Sequence, residues 1–252
     1  MNHLSLLLLL TALTVACRSK NQTGSETQSP GNTAASALDA GSAGDPTESP
    51  DNFVIIPGQQ VGAVRAGSTE ASLKSLYGPE LVVRDTVYLG EGEYEIGTTV
   101  FKNTADQIQI IWKDKQAFAR PEVMFVRPAY DAQGNLRPGT AGRQVQWLVP
   151  VGEGSIGVGT SLREVEQANG KPFKLYGFGW DYGGTTSDWQ GGKLMTADKK
   201  SFLTLLFGFE PDFSISENKF YDTVLGDGEF LSSLSAMQSL NPTVKSLTVS
   251  FP

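Results

Sequence analysis

The strongest constraint on the fold is a short segment that occurs twice in the chain. Residues 64–79 read VRAGSTEASLKSLYGP, and residues 156–172 read IGVGTSLREVEQANGKP. Each copy has two glycines eleven residues apart, a pair of hydroxyl residues after the first glycine, and a proline soon after the second. The spacing predicts one small structural unit that is used twice.

Helix-end chemistry explains this pattern. A hydroxyl side chain at 68–69, and another at 160–161, can accept hydrogen bonds from the free N–H groups of a first helical turn. Gly78 and Gly170 then supply the left-handed position that ends a helix, and the prolines prevent its continuation. Helices this short are unstable alone, so each must pack an apolar stripe on a larger element. The stripes are Leu73, Leu76 and Tyr77 in one copy, and Leu162, Val165 and Ala168 in the other.

Alternating apolar residues dominate the rest of the chain and predict antiparallel strands with one wet face. The clearest strands are expected at 107–113, 202–209 and 246–251. Others are expected at 81–84, 95–101, 123–126, 144–148, 173–178 and 193–196. The sequence therefore predicts an α+β fold made of two repeats, each a short helix packed on an antiparallel sheet.

The N-terminal region predicts a lipid anchor. Residues 4–10 are almost all leucine, which is too short to span a membrane but typical of a signal peptide. The following run, Leu-Thr-Val-Ala-Cys, resembles the lipobox of bacterial lipoproteins, in which the cysteine, here Cys17, becomes the diacylglyceryl N-terminus. It departs from that pattern at Thr14, where leucine is usual, and in having only His3 as a basic group before the leucines. A free Cys17 thiol behind an ordinary signal peptide is the alternative.

Composition divides the chain into segments. Residues 1–16 are the predicted lipoprotein signal, and residues 17–52 are the lipidated cysteine with a tether too poor in apolar residues to fold. The first α+β repeat is expected at 53–126, and the loop between the repeats at 127–143, which is rich in proline and glycine. The second repeat is expected at 144–252 and includes a C-terminal strand.

The repeated unit resembles two known groups of proteins. One is the beta-lactamase inhibitor protein, a tandem of helix-plus-antiparallel-sheet units, and the other is the small outer-membrane lipoprotein of the barrel-assembly machinery. The runs at 169–173, NGKPF, and 177–184, GFGWDYGG, look still more like a group of uncharacterised lipoproteins of Bacteroidetes-type bacteria. These resemblances imply a fold and a place in the cell envelope. Arg18 follows Cys17, where lipoproteins kept in the inner membrane often carry aspartate, so the outer membrane is favoured, with its periplasmic and surface faces both open.

The residue types present argue against several functions. The chain has one histidine, His3, which leaves with the predicted signal, so no histidine is available for general-base catalysis or zinc binding. The chain lacks the P-loop phosphate-binding motif, and its net charge of −7 carries no basic stripe for nucleic acid. We expect no cofactor, no metal site and no catalytic site.

One stretch remains as a candidate for binding. It combines tryptophan and tyrosine residues with carboxylates around a glycine-rich turn: Trp180, Asp181, Tyr182, Asp188 and Trp189. Such residues suit protein or sugar recognition. The alternative is that both tryptophans fill the core and both aspartates hold turn amides.

We expect a non-enzymatic module that binds a protein or a glycan of the envelope. A hydrolase acting on envelope or environmental glycans is an alternative, in which Asp181 would work with Asp188 or Glu210. An outer-membrane assembly factor is a further alternative.

The lipid anchor is testable at Cys17. The chain is expressed in a bacterium supplied with an alkyne-tagged palmitate, and the label is expected on the wild type and absent from Cys17→Ser. Ser19→Ala, two residues away, is the control and should keep the label. A wild-type chain without label would favour the free thiol instead.

Overall fold

The computed structural model describes residues 49–140, 145–198, 200–209 and 218–252. The predicted signal, Cys17 and residues 17–48 of the predicted tether lie outside these residues. All the elements below lie within residues 49–252.

The described elements are short helices and many strands. The strands in chain order are β1 (Ile55–Ile56), β2 (Gln60–Val61), β3 (Val64–Arg65), β4 (Val82–Gly90), β5 (Glu93–Val100), β6 (Ile108–Asp114), β7 (Ala119–Val126), β8 (Leu148–Val151), β9 (Gly154–Gly157), β10 (Lys174–Tyr176), β11 (Thr186–Asp188), β12 (Leu203–Gly208), β13 (Glu229–Leu231) and β14 (Thr243–Ser250). The helices are α1 (Glu70–Tyr77), α2 (Leu162–Asn169) and α3 (Ser235–Leu240), with a 3₁₀ turn at Asp222–Val224.

The main sheet is antiparallel, with strand order β12-β14-β7-β6-β5-β4. Its neighbouring interior strands β14 and β7 come from opposite halves of the chain and pair from Leu247 opposite Val126 to Ser250 opposite Val123. A smaller sheet of β11, β10 and β13 is joined to β12 by a bridge between Thr185 and Leu206. The prediction of a mixed α+β fold with antiparallel sheets is confirmed.

Both predicted helices begin with a capping box. Thr69 is the N-cap of α1 and exchanges hydrogen bonds with Ser72, each 3.0 Å long. Ser161 is the N-cap of α2, where Glu164 Oε2 accepts from the Ser161 backbone N–H at 2.8 Å. Each capping box satisfies backbone donors that a helix start leaves free. Of the hydroxyl pairs in the sequence, the second member is therefore the cap in both copies.

The two helix starts are attached to the sheet in the same way. In the first half, Glu70 N donates to Phe118 O and Arg120 N donates to Ser68 O, at 2.8 and 2.9 Å. In the second half, the donors Leu162 N and Val244 N reach Pro242 O and Thr160 O, also at 2.8 and 2.9 Å. These bonds tie α1 to the start of β7 and α2 to the start of β14, the two strands through which the halves of the chain pair.

One apolar core lies between the helices and the main sheet. The helix stripes reach it through Leu73, Leu162 and Val165, all of which are buried. Burying a side chain of this size contributes about 1.5–3 kcal/mol. The same core also receives residues from β6, β7, β12 and β14, so it joins both halves of the chain.

Some predicted strands differ from the structure. Residues 193–196 form turns, because the Asn169 side chain takes up backbone groups there, accepting from Leu194 N at 3.1 Å and donating to Trp189 O at 3.1 Å. Residues 145–147 are irregular, and the strand predicted at 144–148 begins at Leu148. The elements β11 and α3 were not predicted; β11 is three residues long and α3 six, too short for a periodic pattern.

The first strand of the fold is joined to the second half of the chain. Leu148 N donates to Phe53 O at 3.0 Å, and Val54 and Leu148 form a parallel bridge. Gly62 N donates to Val54 O at 2.9 Å on the other side. The chain therefore enters the described fold between two small hairpins, one from each half.

The β4–β5 hairpin bends over the face of the sheet that the helices leave free. In a flat sheet β4 would lie about 14 Å from β7, yet Arg127 Nη1, just after β7, donates to Tyr88 O in β4 at 2.6 Å. Gly97 permits the bend, since a Cβ there would lie 2.3 Å from Ile110 O. The inner side of the hairpin buries Val87 against Ile111 and Phe125. Arg127 stacks over the Phe125 ring at 3.9 Å and covers this small cluster.

A buried polar chain ties α1 to the sheet. Glu70 accepts from Thr98 Oγ1 at 2.9 Å, and Thr98 accepts from Trp112 Nε1 at 2.8 Å. Burial by itself would raise the pKa of the Glu70 carboxyl, but hydrogen bonds from Lys74 and Thr98 and the charges of Lys74 and Arg84 hold that pKa below its usual range. The carboxylate is thus stabilised in its charged form.

We expect Glu70→Gln to destabilise the fold by about 1–3 kcal/mol at neutral pH, because hydrogen bonds to a charged partner are lost. A lowered folded-state pKa gives stability that is present above the unfolded pKa and lost as the pH falls through the folded one. Urea unfolding between about pH 7 and pH 3 should therefore show a smaller loss with acid in the variant than in the wild type. Glu80→Gln, at an exposed position, is the control. Equal acid sensitivity of Glu70→Gln and the wild type would contradict the assignment.

Candidate binding surface at the hairpin tip

The connection between β10 and β11 presents three of the five predicted site residues to solvent: Trp180, Asp181 and Tyr182. Trp180 and Tyr182 are each 37% exposed, and their ring centroids lie 5.4 Å apart, edge to face. Tyr176, at the end of β10, packs edge to face on Trp180 at 5.5 Å. The indole is held by a 2.9 Å hydrogen bond from Trp180 Nε1 to Gly177 O. We call residues 176–184 the aromatic loop.

Glycines shape this loop because its backbone runs close to other strands. A Cβ on Gly184 would lie 2.2 Å from Phe207 O, and the φ angle of +79° is also unfavourable for other residues. Gly184 N donates to Tyr176 O at 3.1 Å, while its own carbonyl accepts from Phe207 N at 2.9 Å. The loop is thereby fixed against β12, with Phe178 buried in the core and Trp180 and Tyr182 partly exposed.

The other two predicted site residues lie elsewhere. Trp189 is 7% exposed, its ring packs 5.2 Å from Phe173, and its Nε1 donates to Leu203 O at 2.8 Å. Asp188 is exposed and accepts from Gln190 through both carboxylate oxygens, at 2.7 Å from the backbone N and 2.5 Å from Nε2. Trp189 is a core residue and Asp188 a turn residue. The structure brings Trp180, Asp181 and Tyr182 together in one loop. Trp189 and Asp188 have structural roles instead.

The bent β4–β5 hairpin reaches the aromatic loop. At its turn, a Cβ built on Gly90 would lie 3.1 Å from the Tyr182 hydroxyl oxygen, which places the two segments in contact. This contact brings a hairpin of the first half against a loop of the second half. We call residues 88–96 the hairpin tip.

The outer side of the hairpin tip is unusually apolar for an exposed surface. Tyr88 and Tyr94 are paired across the strands, 64% and 60% exposed, with ring centroids 6.2 Å apart. Ile96, on the same side, is 54% exposed. The inner side of the hairpin is already occupied by Val87 and the cluster beneath it. Both sides of this hairpin are therefore apolar, although only the inner one is covered in the described chain.

Carboxylates surround these aromatic side chains. Glu91 in the hairpin turn, Glu93 at the start of β5 and Asp181 in the aromatic loop are exposed, and within the described residues none of the three forms an ion pair. The neighbouring cations are engaged: Lys115 pairs with Glu95 at 2.7 Å, and Arg127 lies beneath the hairpin. The surface that combines the hairpin tip with the aromatic loop is thus both aromatic and acidic.

Both oxygens of the Asp188 carboxylate already accept hydrogen bonds from Gln190. Glu210, the other proposed partner of Asp181, lies outside the described residues. In the part of the chain that the structure covers, no group of histidine, cysteine, aspartate or glutamate residues could hold a metal ion. The geometry favours recognition by exposed side chains.

A groove of about 670 Å³ lies in a different place, between the β8–β9 hairpin and α2. Its lining is mostly polar and includes Lys193 and Glu164. Glu164 already serves the capping box of α2. The groove has fewer exposed aromatic side chains to offer than the hairpin tip, so we place the candidate surface at the tip.

Sequence patterns did not single out the hairpin tip. Gly90-Glu91-Gly92 indicates a tight turn, and Tyr88 and Tyr94 lie symmetrically about it, which is the one signal that could have drawn attention to them. Tyr88 and Tyr94 are exposed because the hairpin bends at Gly97, and no local sequence pattern predicted that bend.

No known protein family, characterised protein or solved structure matches this chain. Among the described residues, none of the helices has the length and hydrophobicity needed to cross a membrane. Function is therefore inferred from the geometry of the hairpin tip and the aromatic loop.

The different roles of the two tryptophans can be tested by unfolding. Trp189→Ala is expected to lower the free energy of unfolding by about 3–5 kcal/mol, because it empties a core site and removes a buried hydrogen bond. Trp180→Ala, at a partly exposed site, is expected to cost about 1 kcal/mol or less. Urea denaturation followed by far-UV circular dichroism measures both. Similar losses from the two substitutions would contradict the separation of core from surface.

Proposed function

We propose that this protein is a lipid-anchored lipoprotein of the bacterial envelope that acts without catalysis and binds another protein through the hairpin tip and the aromatic loop. The contact between Tyr182 and the turn at Gly90 carries the proposal, because it gathers exposed aromatic side chains from both halves of the chain. Tyrosine and tryptophan are enriched at the centres of protein interfaces. Contiguous exposed apolar surface on a folded domain commonly marks such an interface.

We further propose that the fold is a tandem repeat resembling the beta-lactamase inhibitor protein. Three observations support it: each half has a hairpin before a capped helix, a pair of backbone hydrogen bonds from the helix start to a central strand, and several antiparallel strands after the helix. An additional match is the hydroxyl before each cap, since Ser68 Oγ accepts from Arg65 N and Thr160 Oγ1 accepts from Gly157 N. An experimental structure whose halves do not superpose over these elements would contradict the repeat.

The proposed anchor suits this role. A diacylglyceryl Cys17 would hold the chain on a membrane, most simply the outer one, and residues 17–52 would let the folded part stand off by a few tens of ångströms. The folded part could then search the space next to the membrane for its partner. A glycan as the partner, a glycan hydrolase and an assembly factor are the competing readings.

Site-directed photo-crosslinking tests the proposed binding surface. Tyr94 and Trp180 are replaced one at a time by p-benzoylphenylalanine in the full chain, and living cells of the source bacterium are irradiated. We expect both positions to crosslink to the same protein, because they lie on either side of the Tyr182–Gly90 contact. The crosslinked band is identified by mass spectrometry.

The controls are Met195 and Leu148, which are also apolar and are 56% and 45% exposed on other elements. Neither should give that band. Crosslinks of equal yield from all four positions, or none from Tyr94 and Trp180, would contradict the proposal. A crosslink to an outer-membrane barrel would favour the assembly factor among protein partners.

A further inference from the structure

We infer that the partner presents a cationic segment, rich in arginine or lysine, to the hairpin tip and the aromatic loop. This inference rests on the proposed function and gives the partner a chemical class. Its basis is the combination of an uncovered apolar hairpin face with carboxylates that have no cation beside them.

The two sides of the β4–β5 hairpin differ in how far they are covered. The inner side is covered by Ile111 and Phe125, while Tyr88, Tyr94 and Ile96 on the outer side remain exposed. An antiparallel hairpin that lies over a sheet ordinarily has one apolar and one polar face. The apolar outer face is therefore surplus to what the fold of the described residues needs.

The charges around this face that form no ion pair in the described structure are negative. Glu91, Glu93 and Asp181 are exposed around it without an ion pair in the described structure, whereas other carboxylates are neutralised, such as Asp85 by Lys102 at 2.8 Å. Exposed carboxylates of like sign raise the local concentration of cationic partners and speed their association. The tip thus favours a partner of positive charge.

The aromatic rings also favour a cationic partner. Tyr88, Tyr94, Trp180 and Tyr182 offer ring faces and edges beside those carboxylates. Guanidinium and ammonium groups bind aromatic faces by cation–π attraction, and their aliphatic stems pack on apolar surface. Within the chain itself, Arg127 makes this contact with Phe125 at 3.9 Å. An arginine- or lysine-rich segment would satisfy rings and carboxylates together.

Other occupants fit the surface less well. A second copy of this chain would bring the same three carboxylates to the interface, and an anionic lipid surface would be repelled by them. A neutral glycan could stack on the rings but would leave the carboxylates without counter-charges. Charge complementarity therefore favours a cationic protein segment.

The tryptophans provide a direct readout. All four lie in the described part of the chain, and Trp112, Trp147 and Trp189 are buried, while Trp180 is partly exposed at the proposed surface. Quenching of the intrinsic fluorescence by acrylamide therefore reports mainly on Trp180. A ligand that covers the aromatic loop must reduce this quenching.

The experiment uses the purified full chain with two peptides that lack aromatic residues. One alternates arginine with leucine, and the other has glutamate in place of each arginine. We expect the arginine peptide to protect Trp180 from acrylamide, with an affinity that falls as salt is added, and the glutamate peptide to give no protection. Equal protection by both peptides, or by neither, overturns the inference.

A charge-matched pair of variants completes the test. The triple variant Glu91→Gln, Glu93→Gln, Asp181→Asn should weaken binding of the arginine peptide by about tenfold or more, since three partly exposed charge pairs are lost. The control triple variant Asp51→Asn, Glu80→Gln, Glu153→Gln removes the same charge from exposed sites on other elements and should bind like the wild type. Equal weakening in both triple variants overturns the inference.

The two proposals fail separately. Crosslinking from Tyr94 and Trp180 requires no particular charge on the partner. Crosslinks that persist without a preference for the arginine peptide would reject the cationic assignment and leave the binding function intact.

Discussion

The pairing of β7 with β14 is the constraint on which the rest of the fold depends. Each strand begins where a helix start is hydrogen-bonded to it, α1 at Ala119 and α2 at Thr243. Because the two strands run side by side inside the sheet, they fix the positions of both helices with respect to one core. The helices need no contact of their own to be aligned, since the backbone of the sheet aligns them.

The bend of the β4–β5 hairpin is the second determinant, because it decides which surfaces remain exposed. Once Val87 is packed on Ile111 and Phe125, the free face of the sheet is partly closed, and the tip is carried to Tyr182. The candidate surface is thus a product of the tertiary fold. It joins residues from the two halves that are about ninety positions apart in the chain.

Local chemistry explains what could be read from the sequence. The caps, the terminal glycines and the long alternating strands depend on residues within a few positions of each other, and these were recovered with one exception. Gly170 is left-handed as predicted, but Gly78 ends α1 with φ 92° and ψ 145°, outside the left-handed helical region. Residues whose role depends on distant partners were not recovered. The Asn169 side chain accepts a hydrogen bond from Leu194 N in place of a strand partner, and Gly97 permits the bend because a larger residue would collide with Ile110 O. Trp180 and Trp189 look alike in sequence. Their different roles come from Gly177 and Leu203, the backbone groups that their indoles reach.

The bridge between Val54 and Leu148 has a mechanical consequence. If the chain is held at its N-terminal end, any pull on the bound partner is transmitted through the first strand of the fold. That strand is bonded to Gly62 on one side and to Leu148 on the other, so the load is shared between the two halves at their junction. A pulling force that separated one half from the core would have to break the hydrogen bonds of both halves to this segment at once. The segment by which the chain enters the fold therefore resists stepwise unfolding of either half.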